Sequence, residues 1–452
     1  MPESCYVVQQ VGHIPEGYRM TEFGPLPEEW RVVRLGEVFD EIDRRVKSSE
    51  DSATKKLPVL SLTKNWGLIL QTDRFKKRIA TDDVSNYKVI RRGQIVYNPY
   101  VIWEGAIHIL EKYEAGLVSP VYPVLKTKEA VADSFYLDSW LRTPPAIAAY
   151  NKFAAGAVNR RRSIRKRDFW QIEIPLPPLP EQRAIAHVLR AVKRAKDATE
   201  GVITTLRELK KSLMRHLFTY GPVSVDAIDS VELQETEIGL LPKHWQVVRL
   251  GELAAIRYGL GQPPEIDETG IPMIRATNIK AGRIVSQGLL RIRKEAIPSS
   301  RDPFLKAGDI IVVRSGAYTG DAALVTAEWE GSIVGYDLVV TSGESLLPQF
   351  CVELLLGNNA QRYFRGQRDR SAQPHLNAHQ LKATLLPLPP LPEQHEIARI
   401  LQTVDRKIEV EEQRKAALEA LFKALLHDLM TARRRLPAEF VAQFEKESED
   451  TS

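Results

Sequence analysis

Residues 21–38 read TEFGPLPEEWRVVRLGEV, and residues 236–253 read TEIGLLPKHWQVVRLGEL. Twelve of these 18 aligned positions are identical, and each stretch is named here the tryptophan box. A second motif, the proline box, reads PLPPLPEQ at residues 175–182 and again at residues 387–394. Two motifs that recur in the same order at nearly the same offset indicate a tandem duplication of one unit.

A long helix is predicted after each proline box. Pro180 and Pro392 suit the first helical turn, where proline is pre-organised and the following glutamate meets the positive end of the helix. Apolar residues then recur every three or four positions, with a break at Thr199, which is typical of a coiled-coil seam. The predicted seam residues are Ile185, Val188, Val192, Ala195, Val202, Leu206, Leu209 and Leu213 in the first helix, and Ile397, Ile400, Val404, Ile408, Leu418, Leu421 and Leu425 in the second.

The predicted fold class is α/β, with two mixed α/β domains that have diverged from one another. A helix of about 37 residues is ~55 Å long, so we expect a long antiparallel two-helix coiled-coil rod to separate the domains with pseudo-two-fold symmetry. The predicted segments are an N-terminal extension at 1–20, the first domain at 21–174, the first proline box and helix at 175–220, the second domain at 221–386, the second proline box and helix at 387–435, and a flexible acidic tail at 436–452.

Composition excludes several classes of protein. The chain of 452 residues contains only two cysteines, Cys5 and Cys351, which excludes a disulfide framework and a zinc site built from several cysteines. No apolar run approaches the length of a membrane span, and the first residues lack the pattern of a secretory signal. We therefore expect a soluble cytoplasmic protein that has no membrane partner.

Basic residues cluster just before each proline box. The cluster of the first repeat comprises Arg160, Arg161, Arg162, Arg165, Lys166 and Arg167, and that of the second comprises Arg362, Arg365, Arg368 and Arg370. A single charged run is usually a solvated surface. Basic clusters at equivalent places in two diverged copies instead favour DNA binding, because arginine suits phosphate contacts and bidentate readout of guanine.

Catalytic motifs are incomplete wherever they are suggested. Asn98-Pro99-Tyr100 is similar to the Asn-Pro-Pro-Tyr loop of amino-methyltransferases, but it lacks the second proline and a preceding glycine-rich cofactor loop. Gly316–Gly320 lacks the lysine of a phosphate-binding loop, and His375 with His379 lacks a third metal ligand. The sequence predicts no catalytic residue and no metal site.

The boxes resemble a known family at specific positions. The proline boxes, followed by Ile185-Ala186 and Ile397-Ala398, resemble the hallmark of type I restriction–modification specificity subunits. The Leu-Gly-Glu that ends each tryptophan box is similar to that family, as are Lys306–Ile311 and Arg314-Ser315-Gly316. The resemblance extends from about residue 21 to residue 431. Arg314 is a further candidate DNA contact, chosen like the others from charge and position.

The resemblance implies two target-recognition domains, each of which reads one half of a bipartite site in double-stranded DNA. It implies that the long helices act as spacer and as docking surface for two modification (methyltransferase) subunits, which restriction (translocase) subunits join. S-adenosylmethionine, ATP and magnesium are then expected in those partner subunits, with no cofactor in this chain.

Three alternatives remain open at this point. The chain could be the specificity chain of a two-component restriction enzyme whose partner fuses methylase and nuclease. A stand-alone DNA methyltransferase is disfavoured by the absent cofactor loop. A purely structural coiled-coil adaptor would not need two globular domains of ~135 residues.

Overall fold

The computed structural model describes residues 14–48, 54, 56–64, 67–74, 83–155, 163–261, 265–298, 302–368 and 375–445. The chain forms two compact units, Met1–Ala198 with Arg414–Ser452, and Thr199–Gln413. Both boundaries fall inside a long helix, the first being Leu179–Tyr220 and the second Leu391–Met430. Each unit therefore contains one box-bounded domain, the start of one long helix and the end of the other, so the units cut across the predicted segments.

Unit 1 is a mixed α/β unit, as predicted. Its strands are Tyr18–Thr21, Gly24–Pro27, Arg31–Arg34, Phe39–Ile42, Leu60–Thr63, Gly67–Leu70, Lys88–Arg91, Ile95–Tyr97, Ile107–Ile109, Ala115–Val118, Val124–Thr127, Ala154–Ala155, Ser163–Ile164 and Glu173–Leu176. Its shorter α-helices are Leu35–Val38, Gln71–Arg74, Ser134–Trp140, Pro144–Phe153, Lys166–Trp170 and Ala438–Val441.

Unit 2 has the same mixed character. Its strands are Leu233–Thr236, Gly239–Pro242, Gln246–Arg249, Ala254–Tyr258, Ile266–Ile274, Ile279–Lys280, Arg283–Ile284, Leu290–Ile292, Ile310–Val312, Ala322–Leu324, Ile333–Val334, Leu338–Ser342 and Leu385–Leu388. Its shorter α-helices are Leu250–Leu253, Pro348–Leu356, Asn358–Arg368 and Ala378–Lys382.

The two units repeat one sheet topology. The four-stranded sheet of unit 1 runs in the order Phe39–Ile42, Val124–Thr127, Ile95–Tyr97, Ile107–Ile109, and every neighbouring pair is antiparallel. The sheet of unit 2 runs in the order Ala254–Tyr258, Leu338–Ser342, Ile310–Val312, Ala322–Leu324, again antiparallel throughout. The duplication read from the boxes thus extends to the diverged sequence between them.

Each tryptophan box pairs with the proline box of its own unit. Strand Arg31–Arg34 lies antiparallel to Glu173–Leu176, and Gln246–Arg249 lies antiparallel to Leu385–Leu388. A one-turn helix follows each tryptophan-box strand. Strands Glu173–Leu176 and Leu385–Leu388 each contain a proline, which has no backbone N–H group. The proline is tolerated because each strand has only one neighbour, so one of its edges makes no hydrogen bonds to another strand.

The long helices pack antiparallel within each unit, which confirms that part of the predicted fold. In unit 1, Leu189 near the start of the first helix shares a core with Leu429 near the end of the second. In unit 2, Leu217 near the end of the first helix shares a core with Leu401 near the start of the second.

The predicted seam is wrong in its middle. Thr199, expected to break the seam, is 3% exposed, and Ile203 is 1% exposed, whereas Val202 and Leu209 are each 45% exposed. Positions three and four apart share a helix face, so a stripe that passes through Thr199 and Ile203 leaves Val202 and Leu209 one residue out of phase. Leu421, 46% exposed, is displaced in the same way.

The predicted flexible tail is helical over its described part. Helix Ala438–Val441 continues into a 3₁₀ turn, Ala442–Phe444, and residues 446–452 lie outside the described residues. The rings of Phe440 and Phe444 lie 6.1 and 5.4 Å from the ring of His187. Two aromatic residues four positions apart face the same side of the helical segment, and this contact orders a stretch that composition alone marked as loose.

Candidate nucleic-acid interface

The repeated motifs meet in a buried hydrogen bond. Trp30 Nε1 donates to Glu181 Oε2 at 2.9 Å in unit 1, and Trp245 Nε1 donates to Glu393 Oε2 at 2.9 Å in unit 2. Both indole rings are buried, so each needs an acceptor for its N–H group. The tryptophan box and the proline box of each unit therefore pack against one another, and the tryptophan and glutamate that recur in both units have a structural role.

The glutamine that ends each proline box fixes the start of a short helix that lies earlier in the same domain. Gln182 accepts the Asp133 N–H at 2.9 Å and donates to the carbonyl of Pro177 at 2.8 Å. Gln394 accepts the Leu347 N–H at 2.8 Å and, in a separate contact, donates to the carbonyl of Pro389 at 2.9 Å. Both side chains are fully buried with donors and acceptors paired. We name Trp30, Glu181 and Gln182, with their counterparts Trp245, Glu393 and Gln394, the box cluster.

Strand pairing aligns the diverged domains residue by residue. Phe39 and Ala254, which directly follow the two tryptophan boxes, pair with Thr127 and Ser342. Three residues before these partners, Val124 pairs with Val96 and Val339 pairs with Ile311, so Val96 corresponds to Ile311. Three residues further on, Pro99 corresponds to Arg314. The backbone supports this correspondence, because the Pro99 carbonyl accepts the Ile164 N–H at 3.2 Å and the Arg314 carbonyl accepts the Leu376 N–H at 2.8 Å. We name the surface around these two carbonyls the basic edge of each unit.

The structure places part of the first predicted cluster on the basic edge of unit 1. Arg165, Lys166 and Arg167 directly follow Ile164 and are exposed. Lys166 Nζ lies 2.8 Å from Glu41 Oε2, and Arg167 Nε lies 3.3 Å from an oxygen of Asp168. Arg160, Arg161 and Arg162 lie outside the described residues, between the paired strands Ala154–Ala155 and Ser163–Ile164.

The second predicted cluster flanks the loop that follows Arg314. Arg362 and Arg365 are exposed on helix Asn358–Arg368. The same helix contacts the loop through Gln361, whose Nε2 donates to the Gly320 carbonyl at 2.8 Å. Arg368 ends the helix with its side chain outside the description, and Arg370 lies outside the described residues.

Arg314 lies between two tyrosine rings that sequence reasoning missed. Its guanidinium carbon is 5.0 Å from the ring centre of Tyr258 and 4.4 Å from that of Tyr336. Both rings are about half exposed, at 45% and 50%. Tyr258 and Tyr336 lie far apart in sequence and meet only through the sheet, so neither belonged to a motif that could have been found.

Asp337 holds the backbone at Arg314. Its Oδ1 accepts the Arg314 N–H at 3.0 Å, and its side chain is 3% exposed. Burial raises the pKa of this carboxyl, whereas the amide N–H groups of Arg314 and Ala276 and the Arg314 charge act in the opposite direction. The result is a fixed main chain beneath an arginine at the surface.

Asn98 and Cys351, two residues that could be considered for catalysis, both have structural surroundings in this fold. Asn98 Oδ1 accepts the Tyr100 N–H at 3.0 Å, and Asn98 Nδ2 donates to the Tyr122 hydroxyl at 3.3 Å. Cys351 is buried, and burial raises the pKa of its thiol to about 12, so the thiol stays protonated at neutral pH. Among the described residues, no group of His, Cys, Asp or Glu side chains is arranged to hold a metal ion.

Residues 242–420 match the family model of the type I restriction modification DNA specificity domain. The chain is 25% identical over 428 residues to the type I restriction enzyme MjaVIII specificity subunit of Methanocaldococcus jannaschii, a match that covers 91% of this chain and 94% of that protein. It is 25% identical over 436 residues to the putative MjaX specificity subunit of the same organism, covering 93% and 97%.

A solved structure shares the fold. The crystal structure of the S subunit of a type I restriction–modification system from M. genitalium matches with a TM-score of 0.58 at 14% identity, covering 88% of this chain and 96% of that one. Over the described part of this chain, none of the helices has the length and apolarity needed to cross a membrane. The comparisons therefore confirm what the repeated boxes predicted: this chain resembles the specificity subunits of type I restriction–modification enzymes, and residues 242–420 match their DNA specificity domain.

Proposed function

We propose that this protein is the DNA-reading subunit of a type I restriction–modification complex and that each unit contacts one half of a bipartite site. One observation carries the proposal. The box cluster and the four-stranded sheet are the same in both units, whereas the residues on the two basic edges differ. A common framework that presents different side chains at equivalent places is what two different half-sites require.

The chemistry of the basic edges supports a DNA ligand. Unit 1 presents Arg165, Lys166 and Arg167 beside Tyr100, which is 50% exposed. Unit 2 presents Arg314 between its tyrosines. Arginine and lysine bind phosphates and guanine edges, and exposed aromatic rings pack against bases and sugars.

Exposed apolar residues on the long helices support docking of the modification subunits. Val202, Leu209 and Val410 are 45%, 45% and 60% exposed in unit 2. Val202 and Val410 line one open groove together with Leu206, and contiguous exposed apolar side chains mark protein–protein contact surfaces. In the proposed complex, the modification subunits bind S-adenosylmethionine, the restriction subunits use ATP and magnesium, and this chain supplies sequence recognition without a catalytic residue.

An exchange of residues 254–386 with the same region of another specificity subunit tests the proposal. The exchange leaves Trp245, Glu393 and Gln394 in place, and the atoms that Gln394 contacts in the exchanged region belong to the backbone at Ser345 and Leu347. Any sequence with the same fold supplies those backbone groups, and a donor sequence with an acidic residue at position 353 also keeps the partner of Lys210, so that chimera should assemble.

Methylation mapping in cells that carry the chimera and its modification subunit gives the readout. We expect one half-site to change and the other to stay intact. The matched control exchanges residues 39–172 and should change the opposite half-site. A chimera that assembles and methylates but changes both half-sites, or neither, would contradict recognition by separate units.

A further inference from the structure

The guanidinium of Arg314 is held in place but has no acceptor within the described residues. Its Nε is buried without a hydrogen-bond partner, and neither a carboxylate nor a carbonyl oxygen of the described chain accepts from its terminal nitrogens. A buried donor without an acceptor is costly. The terminal nitrogens, which the described residues leave open, are therefore the atoms of Arg314 that a ligand can pair with.

Two other arginines of unit 2 are paired within the chain, whereas Arg275, which donates to the Gly288 carbonyl at 3.0 Å, shares with Arg314 a buried Nε that has no partner. Arg257 donates to the carbonyls of Asp302 and Phe304 and to Asp309 Oδ2, at 3.1, 2.8 and 2.9 Å. Arg293 lies 3.3 Å from a carboxylate oxygen of Glu265. These guanidinium groups are paired within the chain, whereas that of Arg314 contacts aromatic rings.

The surroundings of Arg314 also restrict its orientation. The Tyr258 hydroxyl accepts the Ala378 N–H at 3.1 Å, which fixes one ring to the backbone. Tyr336 directly precedes Asp337, the carboxylate that holds the Arg314 amide. Contact with two rings restricts the guanidinium plane, so less rotational freedom remains to be lost when its terminal nitrogens bind a ligand.

We propose that Arg314 reads a guanine in the half-site that unit 2 contacts, by donating to the guanine O6 and N7 atoms. This inference rests on the proposed function. A planar fork of donors matches the two acceptors that guanine presents in the major groove, and this pairing is the commonest specific contact of arginine with DNA. A phosphate contact needs charge but not a fixed plane, so restriction of the plane favours the base edge.

The test compares substituted complexes on a randomised double-stranded DNA library. The full-length chain, assembled with its modification subunits, is used as wild type and as Arg314→Gln, Arg314→Lys and Tyr336→Ala. The control is Arg293→Gln, because that arginine is exposed in the same unit and already faces carboxylates. Urea unfolding of each variant checks that the fold is retained.

Wild type should select a G·C pair at one position of the half-site that the exchange of residues 254–386 changes. Arg314→Gln should lower the preference for that pair by about 10- to 100-fold, which corresponds to the discrimination of one bidentate contact. Arg314→Lys should lose most of it as well, because lysine keeps the charge without the fork. Tyr336→Ala should give a smaller loss, and Arg293→Gln should select the wild-type site.

Two results would overturn the inference while leaving the proposed function intact. One is equal weakening on all sequences with a smaller salt dependence, which marks a phosphate contact. The other is an unchanged site, which marks a packing role. A wild-type complex that selects no bipartite site would overturn the proposed function itself.

Discussion

Unit 2 buries a cluster of ionised side chains around Lys210, whereas unit 1 packs the aromatic ring of Phe422 at the equivalent position of its long helix. In unit 2, Lys210 Nζ lies 2.9 Å from Glu353 and 2.7 Å from Asp405. The offset of 212 between the proline boxes aligns Lys210 with Phe422 and Asp405 with Lys193. Lys193 instead pairs with Glu111, and its Nζ lies 5.5 Å from the ring centre of Phe135.

The comparison separates what the duplication retained from what it changed. The box cluster is the same in both units, so it holds each domain to its helix. The helix-packing positions have reversed charge or lost it, since Lys193 corresponds to Asp405 and Phe422 corresponds to Lys210. Each half of a long helix is therefore matched to its own unit, which disfavours a shifted pairing of the helices.

The largest expected effect tests the shared part. Trp30→Ala and Trp245→Ala should each destabilise their own unit by about 4–5 kcal/mol, because each removes a buried ring and one hydrogen bond to the glutamate of the proline box. Hydrogen exchange resolved by peptide gives the stability of each unit separately. Similar losses in both units would sharpen the comparison, and loss in only one would show that the repeated box is no longer equivalent.

A smaller effect is expected for the part that differs. Lys210→Met should destabilise unit 2 by about 3 kcal/mol, because Glu353 and Asp405 would then share a site without a cation. Phe422→Met in unit 1 is the matched control and should cost about 1 kcal/mol, since it exchanges one apolar side chain for another. Equal losses measured by hydrogen exchange would mean that the ion cluster is no more demanding than the ring.

The smallest effect concerns pH. Burial raises the pKa of Glu353 to about 7, with a further rise from Asp405 and an opposing contribution from Lys210. The folded unit thus binds this proton more tightly than the unfolded chain does. The associated stability is fully present below pH 4.5 and is lost as pH rises through about 7.

From pH 5 to pH 8 this group should remove about 2 kcal/mol of the stability of unit 2, and Glu353→Gln should abolish that part of the pH dependence. Urea unfolding followed by hydrogen exchange at a series of pH values measures it. Unit 1 serves as internal control, and a wild-type slope retained in Glu353→Gln would show that another group titrates.

Sequence reasoning succeeded where a residue is constrained by its neighbours in the chain. The long helices after Pro180 and Pro392 follow from local pattern and were predicted. It failed where distant contacts decide. Lys210 would be expected at a solvated position and is instead largely buried, because Glu353 and Asp405 satisfy its charge.

The candidate site shows the same division. Arg165, Lys166, Arg167 and Arg314 could be selected from charge and position. The tyrosines around Arg314 could not, because their proximity depends on the order of strands in the sheet. The buried face of the first long helix was predicted wrongly for a related reason. Thr199 is polar and was interpreted as a break, but it is buried and lies on the same face as the buried Ile203.

The division of the long helices between units has a consequence for synthesis. Unit 2 is one continuous segment, whereas unit 1 buries Leu429 and Met430 in its core and pairs Arg435 with Glu181 at 2.7 Å. On the ribosome, the later domain therefore has all its parts first. The earlier domain waits for more than two hundred further residues, with its apolar surface available to chaperones or to aggregation until the last helix emerges.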